Sequence, residues 1–218
     1  MAVEAKTIIY EAQRAMNDKS GVRAPASDLV RLLNRAQRDI AVSRPDTTAR
    51  VFEHELAEGA RQELPEEVAL LIDLPANVSG RRRAITRTGL PLLDAAVPDW
   101  RYGARKGEIV HFMHDHRTPR AFWVYPPAID GTSVEMEASM YPADIPVPAG
   151  EASDDVAGVI SLADEWSTAL LLVVLYYAYM TDLEGAGNPL IAASYKETAE
   201  KILGVQLQSA MVFAKQEQ

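Results

Sequence analysis

Apolar residues recur at three- and four-residue intervals near the start of the chain. From Val3 to Met16 they fall on one face of a helix. A second stripe follows Ser27, which can cap a helix, and Pro45 ends it. This spacing predicts two amphipathic helices within residues 1–46.

The helical spacing returns in the last third of the chain. Ser153 or Asp154 can cap a helix whose apolar stripe runs from Val156 to Trp166. The run from Thr168 to Met180 is apolar on every side, yet it is shorter than the about 20 residues that a bilayer requires. It predicts a buried helix that needs cover on all faces, from the β-rich part of the chain or from a neighbouring subunit. Oligomerisation is the simplest source of that cover.

A last helix has start and stop signals of its own. Asn188 can cap it, Pro189 suits its first turn, and Gly204 can end it. The tail that follows, residues 205–218, is too short to form a core and predicts an arm that a partner covers. The alternative is that the last helix continues through Gly204 and packs on its own domain. We expect a partner surface to bind the large apolar residues of this tail, which are Val205, Leu207, Met211, Val212 and Phe213.

Short β-rich runs, broken by turn residues, occupy the middle of the chain. The candidate strands are 49–56, 68–74, 84–88, 108–113, 121–125 and 133–140, and 90–96 predicts a short helix. Pro126 and Pro127 are expected to end the fifth strand, because proline supplies no ladder donor. The whole pattern predicts an α+β fold: a helical bundle core of four or five helices, a central β-rich insertion domain and an extended C-terminal arm. Their bounds are 1–46 with 150–204, 47–149, and 205–218.

Composition and charge exclude several classes of protein. The chain has no cysteine, which excludes disulfides, thiolate metal sites and cysteine nucleophiles. Its formal net charge of −9 argues against tight, general binding of DNA. The first residues lack a basic leader and an apolar run, so we expect no signal peptide.

One local basic run departs from this acidic background. Arg81, Arg82 and Arg83 are candidates for contacts with phosphate or with an acidic partner. Asn77 and Gly80, just before them, are turn formers. A solvated β-turn is therefore the favoured interpretation.

Three histidines and an aspartate fall within a short segment that could bind a transition metal. On a strand, His114 and His116 share a face while His111 points the other way. Two ligands do not complete the four of a closed zinc site, so His114 and His116 are weak metal candidates and we predict no metal centre. The favoured interpretation is a hairpin turn from Asp115 to Pro119.

The chain carries none of the common catalytic signatures. It contains no GxGxxG, Walker, GxSxG or HExxH motif, and its glycines are single turn residues. We therefore predict no catalytic residues, no bound cofactor and no enzymatic activity.

Phrases spread over most of the chain, in their order and spacing, resemble one family of structural proteins. They are NRAQRDIAVSRPD at 34–46, GARQELPEEVALLIDLPANVSGR at 59–81, ITR at 85–87, PDW at 98–100, VHFMHDHRTPRAFWVYPP at 110–127 and YYAYMTDLEGAGNPLIAASYKE at 176–197. In these phrases the chain is similar to the head-to-tail connectors of short-tailed bacteriophages, the portal adaptor or tail tubular type.

The resemblance implies a structural virion protein at the neck, assembled in the host cytoplasm. It implies a ring of about twelve copies between the portal protein and a tail or nozzle protein, with no membrane contact. DNA would only pass through the channel, without sequence preference, and Arg81, Arg82 and Arg83 are possible contacts in that channel. Residues 205–218 match the arm that reaches the portal. The alternative is a small oligomeric module of phage or prophage origin that binds a ligand or a protein.

Overall fold

The computed structural model describes most of the chain, and in this part the fold is mixed α+β with five α-helices and two β-sheets. The described residues are 3–115, 117–150, 152–181 and 188–207. The helices are α1 (Ala5–Ala15), α2 (Ala26–Ser43), α3 (Leu90–Ala96), α4 (Ser167–Met180) and α5 (Pro189–Leu203). The strands are β1 (Ala49–Glu55), β2 (Gly59–Glu63), β3 (Val68–Asp73), β4 (Thr86–Arg87), β5 (His111–His114), β6 (Ala121–Ala128) and β7 (Ser133–Met140).

The chain divides into two compact units. A helical unit takes its described residues from 1–48 and 141–218, and a β unit consists of 49–140. The helical unit contains α1, α2, α4 and α5, and the β unit contains α3 and all seven strands.

Helix α4 lies at the centre of the helical unit. It packs against α1, α2 and α5, and its Val173 and Val174 are fully buried. A helix that is apolar on every side needs cover on every side, and three helices of the same unit supply much of it here. The inference that the β-rich part or a neighbouring subunit must cover this helix is therefore corrected, and the burial of α4 is no argument for oligomerisation.

The segment from Val156 to Trp166 is not the predicted α-helix. The structure has only single 3-10 turns there, at Ser153–Asp155 and Asp164–Trp166. The Ile160 N–H donates to the Val3 carbonyl at 3.0 Å, and the Ser161 N–H donates to the side-chain oxygen of Gln37 at 2.7 Å. These tertiary hydrogen bonds satisfy the backbone without a helix, while apolar side chains such as Ile160 are still buried.

Helix α5 begins and ends where its signals predict. The Asn188 side chain accepts hydrogen bonds from the N–H groups of Leu190 and Ile191, and Gly204 closes the helix with a φ of 69°. The Arg44 guanidinium donates to the Leu203 carbonyl, one of the carbonyls that a helix end leaves without a partner.

Two sheets build the β unit. Their strand orders are β1-β7-β3 and β2-β6-β5-β4, and every pair is antiparallel except β4 with β5. Alternate residues of β7, among them Val134 and Met136, point into a core that also contains Phe112 and Phe122 of the second sheet. The hydrophobic alternation along the strands thus decides which face of each sheet is buried.

The strand predictions hold for most of the unit, with two corrections. Strand β2, Gly59–Glu63, was not predicted. Strand β6 continues through Pro126 and Pro127, because a proline carbonyl still accepts and the Lys106 N–H donates to that of Pro127 at 2.8 Å. Proline therefore does not end this strand.

Candidate functional site

The basic run lies on an exposed turn, as the favoured interpretation predicted. Gly80 and Arg82 have positive φ angles of 68° and 49°, which shape the turn. Beneath it, the buried Asn77 side chain donates to the Arg83 carbonyl at 2.9 Å and accepts from the Ile109 N–H at 2.7 Å. Asn77 therefore anchors the turn to the β unit, and the arginine side chains remain exposed.

The three arginines of this turn differ in their partners. Arg82 forms an ion pair with Glu135 at 2.8 Å, and Arg83 forms a longer one with Glu108 at 3.4 Å. Arg81 has no ion pair within the residues that the structure describes. It is the cation of the turn best placed to meet a partner.

A row of carboxylates lies on the outer face of the three-stranded sheet. On β1, Glu53 and Glu55 are exposed and share a face with Val51, which is 62% exposed. On β7, Glu135 lies directly opposite Glu53, and Glu137 lies opposite Val51. Like charges directly opposite each other on a sheet are unfavourable, and Arg82 neutralises one of this pair, Glu135. Glu53, Glu55 and Glu137 form no ion pair within the described residues, so they are the carboxylates of this face that suit a cationic partner. The period-two spacing of these glutamates along the chain was the sequence signal for this face, which was not among the predicted sites.

The structure places the histidine segment at the β5–β6 hairpin. His111 stacks on Tyr125 with ring centroids 6.1 Å apart, and its Nδ1 lies 2.6 Å from the Thr86 hydroxyl. His114 Nε2 lies 3.2 Å from the Pro119 carbonyl, and His116 is outside the described residues. Between 3–115, 117–150, 152–181 and 188–207, no cluster of three or more His, Asp or Glu side chains could hold a metal ion.

The Asp115–Pro119 hairpin turn is confirmed. The Asp115 carboxylate accepts from the Arg117 N–H at 2.9 Å and pairs with the Arg117 guanidinium at 2.8 Å. The Thr118 N–H donates to the Asp115 carbonyl. This aspartate has a structural task in the turn.

The predicted C-terminal arm begins inside the helical core. Leu207 is 2% exposed in the cluster formed by the helices, and Val205 packs against the same cluster. The expectation that Leu207 is exposed without a partner is therefore wrong. The other arm residues, Met211, Val212 and Phe213, lie outside the described residues.

An exposed tyrosine was missed by the sequence analysis. Tyr102 is 92% exposed beside a cavity of about 470 Å³ that Arg101, Arg105 and Pro127 help to line. Arg101 pairs with Asp94 and Arg105 with Glu58, so both cations are already neutralised. The cavity is therefore a weak candidate for an anion site.

One face of α5 is exposed and apolar. The spacing of its residues predicts a buried stripe of Ile191, Tyr195, Thr198, Ala199 and Ile202. In the structure Ile191 and Ile202 are exposed, whereas Ala199 and Leu203 are buried. Between Ile191 and Ile202, the hydroxyls of Ser194 and Thr198 donate to carbonyls of their own helix. They thus present little free hydrogen-bonding capacity to a partner.

Within the part of the chain that the structure describes, none of the helices combines the length and the apolar character needed to cross a bilayer.

Comparison with known protein families identifies a match. The model of the SU10 adaptor protein family matches residues 4–215, nearly the whole chain. No curated protein matches this chain. The resemblance to phage adaptors that the sequence phrases indicated is confirmed at this level. The chain therefore belongs to the SU10 adaptor protein family, a family of structural proteins of bacteriophages.

Proposed function

We propose that the protein forms a closed ring of about twelve copies at the neck of the virion, between the portal protein and the tail. The ring extends the DNA channel and offers a docking face to a tail or nozzle protein. DNA passes through it without sequence-specific contacts. The protein is made in the host cytoplasm and resides in the virion.

The observation that carries the proposal is the family match over residues 4–215. An adaptor joins other virion components, and a match that spans both units implies that the whole chain serves this task. The net charge of −9 supports a channel role, because a surface with little attraction for phosphate does not retard moving DNA.

Residues 208–218 are our candidate for the contact with the portal. Met211, Val212 and Phe213 are three large apolar residues in succession, followed by a polar end. Apolar residues of this size are typical anchors when a short segment binds a partner surface. Since Leu207 packs in the helical core, the arm starts at residue 208 and is shorter than the sequence alone predicted.

The test is assembly on purified portal rings of the same phage. The full chain is mixed with portal rings, the complex is sedimented, and its copy number is measured by native mass spectrometry and by averaging of electron micrographs. We expect a ring coaxial with the portal. A chain that stays in the supernatant at micromolar concentration, or that binds the portal at random sites, refutes the proposal.

Removal of residues 208–218 tests the arm separately. The shortened chain should keep its thermal melt and lose attachment to the portal. If it still sediments with portal rings as the full chain does, the arm is not the portal contact.

A further inference from the structure

Strand β1 is an outer strand of its sheet with a regular, open edge. Its seven residues pair with β7 without a register shift, whereas β3, on the other side of β7, has two. The Leu56 N–H donates to the Thr132 carbonyl, and hydrogen-bonded positions alternate along an antiparallel pair. Even-numbered residues therefore face β7. The N–H and C=O groups that point away from the sheet belong to Ala49, Val51, Glu53 and Glu55.

In the described part of the chain, the outward backbone groups of the β1 edge lack backbone partners, and three nearby carboxylates of β1 and β7 lack ion pairs. Within the described residues, the outward N–H and C=O groups of β1 have no hydrogen-bond partner in the backbone. Over the same part of the chain, Glu53, Glu55 and Glu137 form no ion pair. A long, regular, exposed edge is a template for contact with another chain unless something covers it. Its carboxylates select a cationic partner and disfavour a second copy of the same edge.

The basic turn lies on the opposite side of the same sheet. The Val78 N–H donates to the Ser133 carbonyl, and the Glu135 N–H donates to the Ala76 carbonyl. Since β7 faces β1 with its even-numbered residues, these bonds place residues 76–78 on the side of β7 away from β1. Residues 81–83 continue from there. One sheet thus has an acidic edge and a basic turn on opposite sides.

Opposite, complementary surfaces are what a head-to-tail contact between identical subunits requires. We propose that the β1 edge of one copy binds the Arg81–Arg83 turn of the next copy. Glu53 and Glu55 then meet Arg81 of the neighbour. Arg83, whose ion pair with Glu108 is long at 3.4 Å, adds a second cation to the contact. Contacts of this type repeat around a closed ring, whereas an edge-to-edge pair of β1 strands would give a two-fold dimer. This inference rests on the proposed ring and names the surfaces that join its copies.

The test uses two charge reversals in the full chain. The first variant carries Glu53→Lys and Glu55→Lys, and the second carries Arg81→Glu and Arg83→Glu. Each puts like charges on both sides of the contact, so ring formation alone or on portal rings should weaken at least about tenfold. A mixture of the two should form rings again, because copies that alternate present opposite charges at every contact.

A matched control separates this contact from a general effect of charge. Glu66→Lys with Asp130→Lys raises the net charge by the same amount as the first variant, at two exposed positions of the same unit. We expect it to assemble like the natural chain. Circular dichroism melts of all variants establish that each is folded.

The outcomes distinguish this inference from the proposed function. If the natural chain forms rings and both reversed variants form them equally well, the surfaces are assigned wrongly and the ring stands. If neither variant forms rings alone and the mixture also forms none, the contact between edge and turn is refuted. If the natural chain forms no ring at all, with or without portal rings, both proposals fall.

Discussion

Leu207 decides where the core ends and the arm begins. Its side chain is buried in the helical cluster, and its N–H donates to the Glu200 side chain at 3.0 Å. Truncation after residue 207 preserves these contacts, and truncation after residue 204 removes them. We therefore expect the chain ending at Leu207 to melt like the full chain and the chain ending at Gly204 to melt at a lower temperature.

The size of the effect follows from the buried leucine. Leu207→Ala removes three buried carbon atoms, and such changes in cores cost about 2–5 kcal/mol. A site close to a chain end relaxes more easily, so we expect a loss of stability at the lower end of this range, about 2–3 kcal/mol. At about 2–4 °C for each kcal/mol in a chain of this size, the melting temperature should fall by about 4–12 °C.

The assay is thermal unfolding followed by circular dichroism, with urea unfolding as a second measurement. Gln206→Ala is the matched control, because Gln206 is an exposed neighbour. If Leu207→Ala and truncation after residue 204 both leave the melting temperature within about 1 °C of the full chain, Leu207 contributes nothing to the core. That result would refute the reasoning.

Three further predictions test the helical core, the β unit and the start of α5. Val174→Asp should prevent folding, because an unpaired buried charge costs several kcal/mol, and a cooperative melt of a soluble variant would contradict this. Burial lowers the pKa of His54, against smaller opposing effects of nearby glutamates, so the unfolded chain binds a proton more readily than the folded one. Stability should therefore fall as the pH drops below about 6.5, and His54→Gln should make this pH dependence shallower in melts between pH 7.5 and 5.5. Asn188→Ala should lower the free energy of unfolding by about 1 kcal/mol in urea titrations, because the cap of α5 is lost. Asn188→Asp should keep most of the stability of the natural chain, since an aspartate caps a helix equally well.

Much of the secondary structure was determined by the sequence. The sequence predicted correctly where α5 starts and ends and that α4 is a buried helix. It also predicted the hairpin at Asp115 and the β-rich middle of the chain. These features depend on neighbours within a few residues. They are a capping side chain, a glycine that accepts positive φ, and apolar residues that recur every two positions in a strand or every three to four in a helix. Local chemistry of this kind is fully present in the one-dimensional pattern.

The segment from Val156 to Trp166 and the face of α5 were decided by tertiary structure. In the first, hydrogen bonds to Val3 and Gln37 replace those of a helix. In the second, two overlapping apolar stripes exist, and contact with α4 selects the one that contains Leu203. The energies that separate such alternatives come from partners far away in sequence, so periodicity alone leaves them equal.

The candidate contact surfaces divide in the same way. The sequence alone identified Arg81–Arg83 as an exposed basic turn and the last residues as an apolar tail. Only the strand order placed β1 at an edge and the basic turn on the opposite side of the same sheet. Only packing showed that Leu207 belongs to the core. Strand neighbours and burial depend on which distant residues meet, and that is settled when the whole chain folds.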